Sequence, residues 1–385
     1  MGLNSRGMTH LDGFLAAPNV EVAWVCDVDR RVLDKASASA EKRQGAAPRK
    51  TTDIRHVLED ASVDAISIAA PNHWHAPAAI LACAAGKHVY VEKPGSHNAR
   101  EAEWMVASAK AHGRLVQLGT QRRSWPWVQE AMQRLHAGEL GVLRYARGWY
   151  NALRLSIGRG TSKPVPEWLD YPLWQGPAPE RPFVDNLVHY NWHWRWHWGG
   201  GELANNGPHA LDIARWGLGV DLPERVTCTG ARYHFQDDQE TPDTSVVVYD
   251  FGNKGIEWNC QSCAPRGFEG DGFGVTFYGE SGSMVIAGNV CRIYDLKNKL
   301  LLETQGKWDD RIHFANFVDA IREGKPLNAP IAEGQKSTLL CHLGNISYRT
   351  GKTLKLDPRS RHPVGDAAAL KLWGREYRKG WTPRV

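Results

Sequence analysis

The first third of the chain alternates short apolar segments with longer helical ones, and this alternation limits the folds open to it. Strand-like composition marks three segments, 20–27, 65–71 and 115–119. Helix-like composition marks three others, 30–42, 76–85 and 99–112. Strands that alternate with helices of this length predict βαβ units, and therefore a parallel sheet with helices on its faces.

A glycine-rich segment at the amino terminus has the spacing of a dinucleotide-binding loop. Residues 2–7 read Gly-Leu-Asn-Ser-Arg-Gly, with Asn4 where a second glycine usually stands. Because asparagine tolerates positive φ better than most residues, we expect Asn4 to preserve the turn. The amino terminus of the following helix would then hold a diphosphate. Asp27 stands near the position, about 20 residues further on, from which an acid binds the adenosine ribose.

That acid favours NAD, because a carboxylate accepts hydrogen bonds from the ribose hydroxyls and repels a 2′-phosphate. Arg30 and Arg31 follow it closely, and either could turn toward such a phosphate. NADP therefore stays open as the alternative cofactor.

Residues 87–94 predict a buried strand that ends in Glu92, Lys93 and Pro94. Ligands of open α/β sheets bind at the carboxyl ends of the strands, so Lys93 should point into that crevice. Pro94 would fix the turn behind it. Pro71, Asn72 and His75 follow another predicted strand, where they could contact cofactor or substrate. A helix-capping role for Asn72 is an equal alternative.

The predicted sheet lacks residues for one strand. In the Rossmann order the first strand lies at the sheet centre and leads directly into the glycine loop, but here only Met1 precedes Gly2. The neighbouring strands would be left with unpaired buried backbone groups, at about 1–3 kcal/mol each. We therefore expect the natural protein to start further upstream, with any targeting segment lost together with that strand.

Composition is typical of a two-domain enzyme without a membrane span. A chain of 385 residues exceeds the size at which single cores stop growing, and no run approaches the ~20 apolar residues that cross a bilayer. Seven cysteines without a pairing pattern favour a reducing compartment. We therefore predict a cytoplasmic protein, or a periplasmic one if a signal segment has been lost. The net charge of +5 forms no basic stripe, which argues against nucleic acid.

The second half of the chain predicts a different kind of sheet. Consecutive β-branched and aromatic runs, with a Gly255 hairpin turn between two of them, indicate mostly antiparallel strands. These runs occupy 143–150, 225–234, 244–251, 255–263 and 274–278. An amphipathic helix is predicted at 313–323. We place a nucleotide-binding domain at residues 1–123 and an α+β domain with a polar tail at residues 124–385.

Histidines and tryptophans alternate through residues 189–198. In an extended chain His189, His193 and His197 would share one side and the tryptophans the other. Histidines four apart would meet only on a helix, and neither carboxylates nor thiolates alternate with them, so we predict no metal. A wall that binds carbohydrate through His193, Trp194 and Trp196 is one interpretation, and packing beneath the site is the other.

Five ordered motifs together resemble the Gfo/Idh/MocA oxidoreductases, named for glucose–fructose oxidoreductase and inositol dehydrogenase. They lie at residues 2–7, 26–29, 71–75, 92–94 and 199–209. The resemblance implies a Rossmann domain followed by an α+β domain with a large open sheet, through which we expect a homodimer or homotetramer. It also implies tightly held NAD or NADP and a sugar, polyol or related hydroxyl as the small-molecule substrate.

The resemblance also implies the site residues. His209, near the start of a helix predicted at 205–216, would take the hydroxyl proton, and Lys93 would stabilise the oxygen. Asn205 stands where the family often has aspartate, so its role is limited to hydrogen bonding; Asp212 could orient the imidazole instead. In the alternative, purely structural interpretation, His209 lies at the start of the helix and hydrogen-bonds a carbonyl. The expected cofactor contacts are Gly2, Asn4, Ser5, Arg6, Gly7, Asp27, Pro71, Asn72, His75, Glu92 and Lys93, and the expected substrate contacts are Lys93, His193, Trp194, Trp196, Asn205 and His209.

Three functions fit these residues. The first is an NAD-dependent dehydrogenase of a sugar, glycoside or cyclitol. The second is a glycosidase or epimerase-like enzyme that oxidises its sugar transiently and retains the cofactor. It needs a further acid or base, for which His193, His197, Asp170 and Asp185 are candidates. The third is a non-catalytic protein that binds sugar and NAD.

Overall fold

Short parallel strands between helices form the amino-terminal part of the protein, whose computed structural model describes residues 1–385. Strands β1 and β2 pair in one piece of sheet, and β3, β4 and β5 pair in another, all in parallel. The elements are α1 (Arg6–Leu15), β1 (Trp24–Cys26), α2 (Arg30–Gln44), β2 (Arg49–Thr51), α3 (Ile54–Leu58), β3 (Ala65–Ile68), α4 (Asn72–Ala84), β4 (His88–Val91), α5 (Ala99–Ala111) and β5 (Val116–Leu118).

A nine-stranded sheet dominates the rest of the chain. Its strand order is β13-β12-β11-β10-β6-β9-β8-β7-β14, and β6 and β9 form its one parallel pair. The elements are α6 (Pro126–His136), β6 (Leu143–Asn151), α7 (Tyr171–Gln175), α8 (Gly201–Asn205), α9 (Gly207–Leu218), β7 (Arg225–Ala231), β8 (Thr244–Asp250), β9 (Gly255–Gln261), β10 (Phe273–Gly279), β11 (Gly282–Ala287), β12 (Val290–Asp295), β13 (Leu300–Gln305), α10 (Arg311–Glu323), α11 (Ile331–Thr350), β14 (Leu354–Lys355) and α12 (Ala367–Lys371).

One face of the large sheet carries the main hydrophobic core. Along β9, Ile256, Trp258 and Cys260 are buried while the residues between them are partly exposed, as expected for a sheet with one packed face. Helices α9 and α11 cover the buried face. The predicted fold class, a Rossmann-type parallel sheet followed by a mostly antiparallel open sheet, is thus confirmed.

Helix α10 belongs to the second half of the sequence but packs against the first sheet. Its Phe314 ring lies 4.9 Å from the ring of Tyr90 on β4 and 5.0 Å from that of Phe14 on α1. Gln117 of β5 donates a hydrogen bond to the His313 carbonyl (2.8 Å). The domain boundary between residues 123 and 124 therefore stays a prediction, because α10, which lies beyond that boundary in sequence, packs against the nucleotide-binding part.

Most predicted boundaries shift by a few residues, and two differences matter for the site. Helix α4 begins at Asn72 itself, four residues before the predicted helix, so Asn72 does not cap it from outside. The helix predicted at 205–216 begins two residues later, as α9 at Gly207, and a separate short helix, α8, ends at Asn205 just before it. None of the helices is long and apolar enough to cross a membrane.

Met1 and Gly2 lie between β1 and β3 and bond to both strands near their carboxyl ends. The Met1 amino group donates to the Ser67 carbonyl (2.8 Å), the Ala69 N–H donates to the Met1 carbonyl (2.8 Å), and the Gly2 N–H donates to the Cys26 carbonyl (3.0 Å). Toward the amino ends of the two strands, the space between them is a mostly apolar cavity of about 280 Å³. The cavity thus occupies the position that the first strand has in the Rossmann order.

An extension of five or six apolar residues before Met1 should enter this cavity as a strand of ordinary length. It would give β1 and β3 a shared hydrogen-bonding neighbour, and it would convert the buried Met1 amino group, whose pKa burial lowers, into an uncharged amide. We expect a higher melting temperature and tighter NAD binding than for the chain that begins at Met1. A Gly-Ser extension of equal length is the control. Equal melting temperatures for the apolar extension and the shorter chain would contradict this prediction.

Buried histidines make stability depend on pH. Burial lowers the pKa of His313 to about 4 and that of His342 to about 3, whereas a histidine of the unfolded chain titrates near 6.5. The folded pKa values lie below the unfolded value, so stability is fully present above about pH 6.5 and is lost as the pH falls toward 4. Each such histidine removes ~1.4 kcal/mol per pH unit in that window.

We expect the free energy of unfolding, measured with urea, to fall between pH 7 and pH 5. His342→Gln removes one titrating group and should make this dependence shallower. His362, which is 37 % exposed at its side chain, supplies the control substitution His362→Gln. Identical slopes for His342→Gln and the unchanged protein would be inconsistent with a neutral buried histidine at this position.

Candidate active site

A cavity of about 650 Å³ opens at the carboxyl ends of β1, β3 and β4, where the two parts of the chain meet. Most of the predicted site residues line it. They are Gly2, Asn4, Ser5, Arg6, Asp27, Pro71, Asn72, His75, Glu92, Lys93, His193, Asn205 and His209. Gly7, Trp194 and Trp196 are not among the lining residues.

Two glycines allow the loop before α1 to approach β3. Gly2 has φ +77°, and a Cβ there would lie 2.5 Å from the Ala70 nitrogen. A Cβ at Gly7 would lie 1.8 Å from the Gly2 carbonyl oxygen, so Gly7 permits close packing of helix and loop. The non-glycine residue of the loop with positive φ is Ser5 (φ 51°), whereas the prediction placed positive φ at Asn4. The turn survives without a special conformation at Asn4.

Asp27 directly follows β1 and lines the cavity. Its carboxylate accepts hydrogen bonds from the Leu3 N–H (2.6 Å) and the Asp29 N–H (2.9 Å). Burial raises the pKa of Asp27 against the opposing effect of these bonds. The loop and the acid are therefore held in one arrangement by direct contact.

Arg31, which follows Asp27 closely in the sequence, is held in place by Asp29 and Trp168. Its guanidinium pairs with the buried Asp29 carboxylate (2.8 Å) and lies 3.5 Å from the centre of the Trp168 ring. The same Oδ2 of Asp29 also contacts His189 Nε2 (2.8 Å), and His189 lines the cavity. Neither Arg30 nor Arg31 lines the cavity. Neither arginine is therefore placed beside Asp27 to bind the 2′-phosphate of NADP.

Glu92 is the centre of a buried polar network. Its Oε1 accepts hydrogen bonds from Arg6 (2.7 Å) and Gln121 (2.9 Å) and contacts His10 Nε2 (3.0 Å). Burial alone would raise the pKa of Glu92, but Arg6, His10 and Lys93 outweigh it and hold the pKa well below its ordinary value. Glu92 therefore carries a negative charge that fixes Arg6 next to the glycine loop.

Lys93 crosses from the first sheet to the second half of the chain. Its Nζ donates to the backbone carbonyl of Asn205 (2.7 Å) and to the Oδ1 of Asn205 (3.1 Å). An ammonium has three donors, so one remains for a ligand in the cavity. Burial lowers the pKa of Lys93, although Glu92 and Glu202 oppose this effect.

His209 lies in the first turn of α9 and faces the same cavity. Its Nδ1 is buried and has no hydrogen-bond partner in the protein, so the alternative role of bonding a carbonyl is not seen for this atom. Burial, followed by the charges of Lys93 and Arg122, lowers the pKa of His209 well below its ordinary value. The imidazole is therefore neutral near pH 7 and able to accept a proton.

Asn205 connects Lys93 to the carboxylate of Glu202, which was not among the predicted site residues. Its Nδ2 donates to Glu202 Oε1 (3.1 Å), and Glu202 is buried and paired with Arg154 (2.5 Å). Glu202 directly follows the glycine run 199–201, which was the available signal. The carboxylate thus acts on Lys93 through an amide and not by direct contact.

Asp212 does not orient His209. Its two oxygens accept hydrogen bonds from Arg123 (2.7 and 2.9 Å), and one of them also accepts a bond from Ser337 (2.7 Å). The spacing of three residues between His209 and Asp212 on the helix suggested that Asp212 would orient the imidazole. Instead, the buried Arg123 from another segment is hydrogen-bonded to the Asp212 carboxylate. Asp212 therefore anchors α9 to the segment that follows β5.

The predicted extended structure of residues 189–198 is wrong. Turns and a short 3-10 helix, Asn191–Trp194, replace it, so tryptophans and histidines do not separate onto two sides. Trp194 is buried beside Arg154, and Trp196 packs near Tyr348 and Arg349, outside the cavity lining. Instead, the cavity is lined by His189, Tyr190, Trp192 and His193.

The remaining candidate acids and bases are engaged in the fold. His197 contacts the Pro179 carbonyl (2.7 Å), Asp170 caps α7 through the Leu173 N–H (3.0 Å), and Asp185 accepts a bond from Thr161. None of the three lines the cavity. His193 does line it, and burial lowers the pKa of His193 to about 3.

His75 and the far wall complete the cavity. The two ring nitrogens of His75 contact the carbonyls of Pro94 (2.5 Å) and Ala70 (2.6 Å), which joins the turns after β3 and β4. No sequence pattern predicts the far wall, because its residues come from distant segments that share no motif. They are Arg122, Trp125, Trp308 and Asp310.

Two curated relatives share part of the sequence. A glycosyl hydrolase family 109 protein of Shewanella sp. (strain W3-18-1) is 32% identical over 114 residues, which are 29% of this chain and 25% of that protein. A 4-carboxy-2-hydroxymuconate-6-semialdehyde dehydrogenase of Sphingobium sp. (strain NBRC 103272 / SYK-6) is 29% identical over 178 residues, 46% of this chain and 54% of that protein. The chain thus spans from a quarter to about half of the length of these relatives.

Solved structures share the fold over most of the chain. The WlbA dehydrogenase from Bordetella pertussis, in complex with NADH and UDP-GlcNAcA, has a TM-score of 0.71 at 19% identity and covers 92% of this chain and 97% of its own. A putative myo-inositol dehydrogenase from Sinorhizobium meliloti 1021 has a TM-score of 0.64 at 16% identity, with the same coverage of 92% and 97%.

Family comparisons cover both parts of the chain. Residues 1–120 match the description "Oxidoreductase family, NAD-binding Rossmann fold", and residues 156–383, more than half of the chain, match "Oxidoreductase family, C-terminal alpha/beta domain". The chain belongs to the Gfo/Idh/MocA oxidoreductase family, and its amino-terminal domain is the NAD-binding Rossmann domain of that family.

Proposed function

We propose that this protein is an NAD-dependent dehydrogenase that acts on a hydroxyl-bearing carbon of a sugar, glycoside or cyclitol. The observation that carries the proposal is the placement of Lys93 and His209 in one cavity, at the strand ends where the NAD-binding domain meets the second domain. Both groups can handle the proton of a hydroxyl. Sugar-related structural neighbours add support through their fold.

The residues present fit a dinucleotide. The glycine loop brings the amino terminus of α1 to the cavity, where a diphosphate would bind. Arg6 lies beside it with one guanidinium nitrogen, Nη2, buried and without a partner. Asp27 would hold the adenosine ribose. When bound, NAD supplies the acceptor or donor of hydride, and the remaining chemistry falls to the chain.

The chain has to remove the hydroxyl proton and stabilise the oxygen. His209 is neutral near pH 7, because burial and nearby cations disfavour its charged form, so it can accept that proton. The free donor of Lys93 would bond the same oxygen as negative charge develops on it. Asn205 holds Lys93 in place through two acceptors, and Glu202 orients Asn205.

A retained-cofactor glycosidase is the second candidate, favoured by the similarity to glycosyl hydrolase family 109 proteins. Such an enzyme needs an additional proton-transfer group near the sugar. His193 is the one of the four sequence candidates that lines the cavity. Net accumulation of NADH with substrate would support the dehydrogenase, whereas glycoside cleavage without it would support the glycosidase.

We also propose that the chain forms a homodimer or homotetramer through the outer face of the nine-stranded sheet. Val248 on β8 is 43% exposed and Tyr278 on β10 is 37% exposed, which gives this face an apolar contribution that a second copy could cover.

All seven cysteines are free thiols, which fits the cytoplasmic location that we propose.

Replacement of either proton-handling residue should abolish most turnover. We expect Lys93→Ala and His209→Ala each to lower kcat by about 100-fold or more, the usual contribution of a positioned acid or base. Steady-state NADH formation with a panel of sugars, cyclitols and aryl glycosides is the measurement. His136→Ala, at a histidine that bonds the Trp216 carbonyl on the surface, is the control. Near-normal turnover of either cavity variant would place the chemistry elsewhere.

The cofactor should be NAD and not NADP. Asp27 would repel a 2′-phosphate, and Arg31 is already paired with Asp29. We expect calorimetric titration to give at least a 10-fold lower Kd for NAD, and Asp27→Asn to narrow this difference while its oxygen still accepts the Leu3 bond. Asp34→Asn, at an exposed acid of α2, controls for the change in charge. Comparable or tighter binding of NADP by the unchanged protein would refute the assignment.

A further inference from the structure

Arg122 is a cation without an acidic partner in the wall of the active-site cavity. It follows β5 in a short 3-10 helix, and its guanidinium carbon lies 4.3 Å from the centre of the Phe273 ring, 4.9 Å from that of Trp125 and 5.9 Å from that of Trp308. Three aromatic rings thus surround the positive charge. Their faces attract a cation but supply no hydrogen-bond acceptors.

The one acid whose charge acts on Arg122, Asp310, is hydrogen-bonded to another residue. Asp310 opposes the effect of burial on Arg122, yet its carboxylate bonds Arg6 (2.7 Å). Burial lowers the pKa of Arg122 to about 10, so the charged form is retained at pH 7 at a cost in desolvation.

Other arginines near the cavity differ from Arg122 in this respect. Arg6 pairs with Glu92 and Asp310, Arg123 pairs with Asp212, and Arg154 pairs with Glu202. A charge with reduced access to water is normally compensated by a partner. Arg122 is half-buried and lines the cavity without such a partner, so a ligand is the group that could compensate its charge.

We propose that Arg122 binds an anionic group of the substrate, a carboxylate or a phosphate, within the aromatic wall of Trp125, Trp308 and Phe273. The inference rests on the proposed function and narrows its substrate class to acidic sugars or cyclitols. The guanidinium fork matches either anion through paired N–H donors. Trp308, which is 63% exposed, leaves the mouth of the cavity accessible beside it.

Position relative to His209 supports a substrate role. The charge of Arg122 is felt at His209, where it lowers the pKa after burial and Lys93. The predicted diphosphate site lies instead at the glycine loop beside Arg6. An anionic substituent on Arg122 would therefore place the rest of a small substrate toward His209 and Lys93.

Direct binding to the NAD-loaded protein tests the inference. The probes are glucuronate, galacturonate and glucose 6-phosphate, each compared with its neutral parent sugar by calorimetric titration. We expect at least one acidic probe to bind about 10-fold or more tightly than its parent, since a hydrogen bond between charged groups is stronger than one between neutral groups. Preference for a uronate or for the phosphate would identify which anion is recognised.

Arg122→Gln should remove this preference and leave the Kd of the neutral sugar and of NAD nearly unchanged. Arg144→Gln, at an exposed arginine of β6 paired with Glu280, removes the same charge far from the cavity and should retain the preference. The inference is overturned if no acidic probe binds better than its parent, if Arg122→Gln keeps the preference, or if that variant mainly weakens NAD binding.

Turnover is measured separately, so the two proposals can fail independently. Selective binding of an acidic sugar without NADH formation would retain the role of Arg122 and count against the dehydrogenase. Oxidation of neutral sugars at rates equal to those of acidic ones, with no preference in binding, would retain the dehydrogenase and overturn the role of Arg122.

Discussion

The charge of Glu92 holds together the segments that form the candidate active site. Its carboxylate contacts Arg6 and His10 of α1, Gln121 beyond β5, and the backbone N–H of Lys93. Arg6 extends the network to Asp310 at the start of α10. A buried carboxylate with several charged and polar partners is costly to leave half-satisfied, so the loss of one partner would disturb the others. The position of Lys93 thus depends on the glycine loop as well as on its own strand.

Much of this arrangement follows from local sequence. The alternation of strands and helices predicts the parallel sheet, and the ends of its strands place Asp27 and Lys93 in the cavity. Both glycines of the loop are at positions where a Cβ would collide with backbone, so their spacing carries geometric information. The class of the second sheet also follows from its β-branched and aromatic strands.

Residues whose roles depend on distant partners were harder to predict. The period-two alternation at 189–198 indicates a strand, but the Trp192 N–H bonds Leu187 and the Trp196 N–H bonds the Glu240 side chain, which folds the segment into turns. Asp212 has the right helical spacing for His209 and yet pairs with Arg123. In both segments, contacts with residues distant in sequence determine the local structure or the side-chain partner more strongly than the sequence pattern does.

Packing of α10 against the first sheet limits how this family member could exchange its nucleotide-binding part. A fragment cut after β5 would leave Tyr90 and Phe14 without the Phe314 ring that lies against both. It would also uncover the Gln117 side chain that bonds α10. Recombination at the sequence boundary would therefore produce an incomplete core, whereas a transplanted unit that carries α10 with it would keep its own interior. The structural unit that binds the nucleotide is therefore made of two segments that are separate in the chain but adjacent in space.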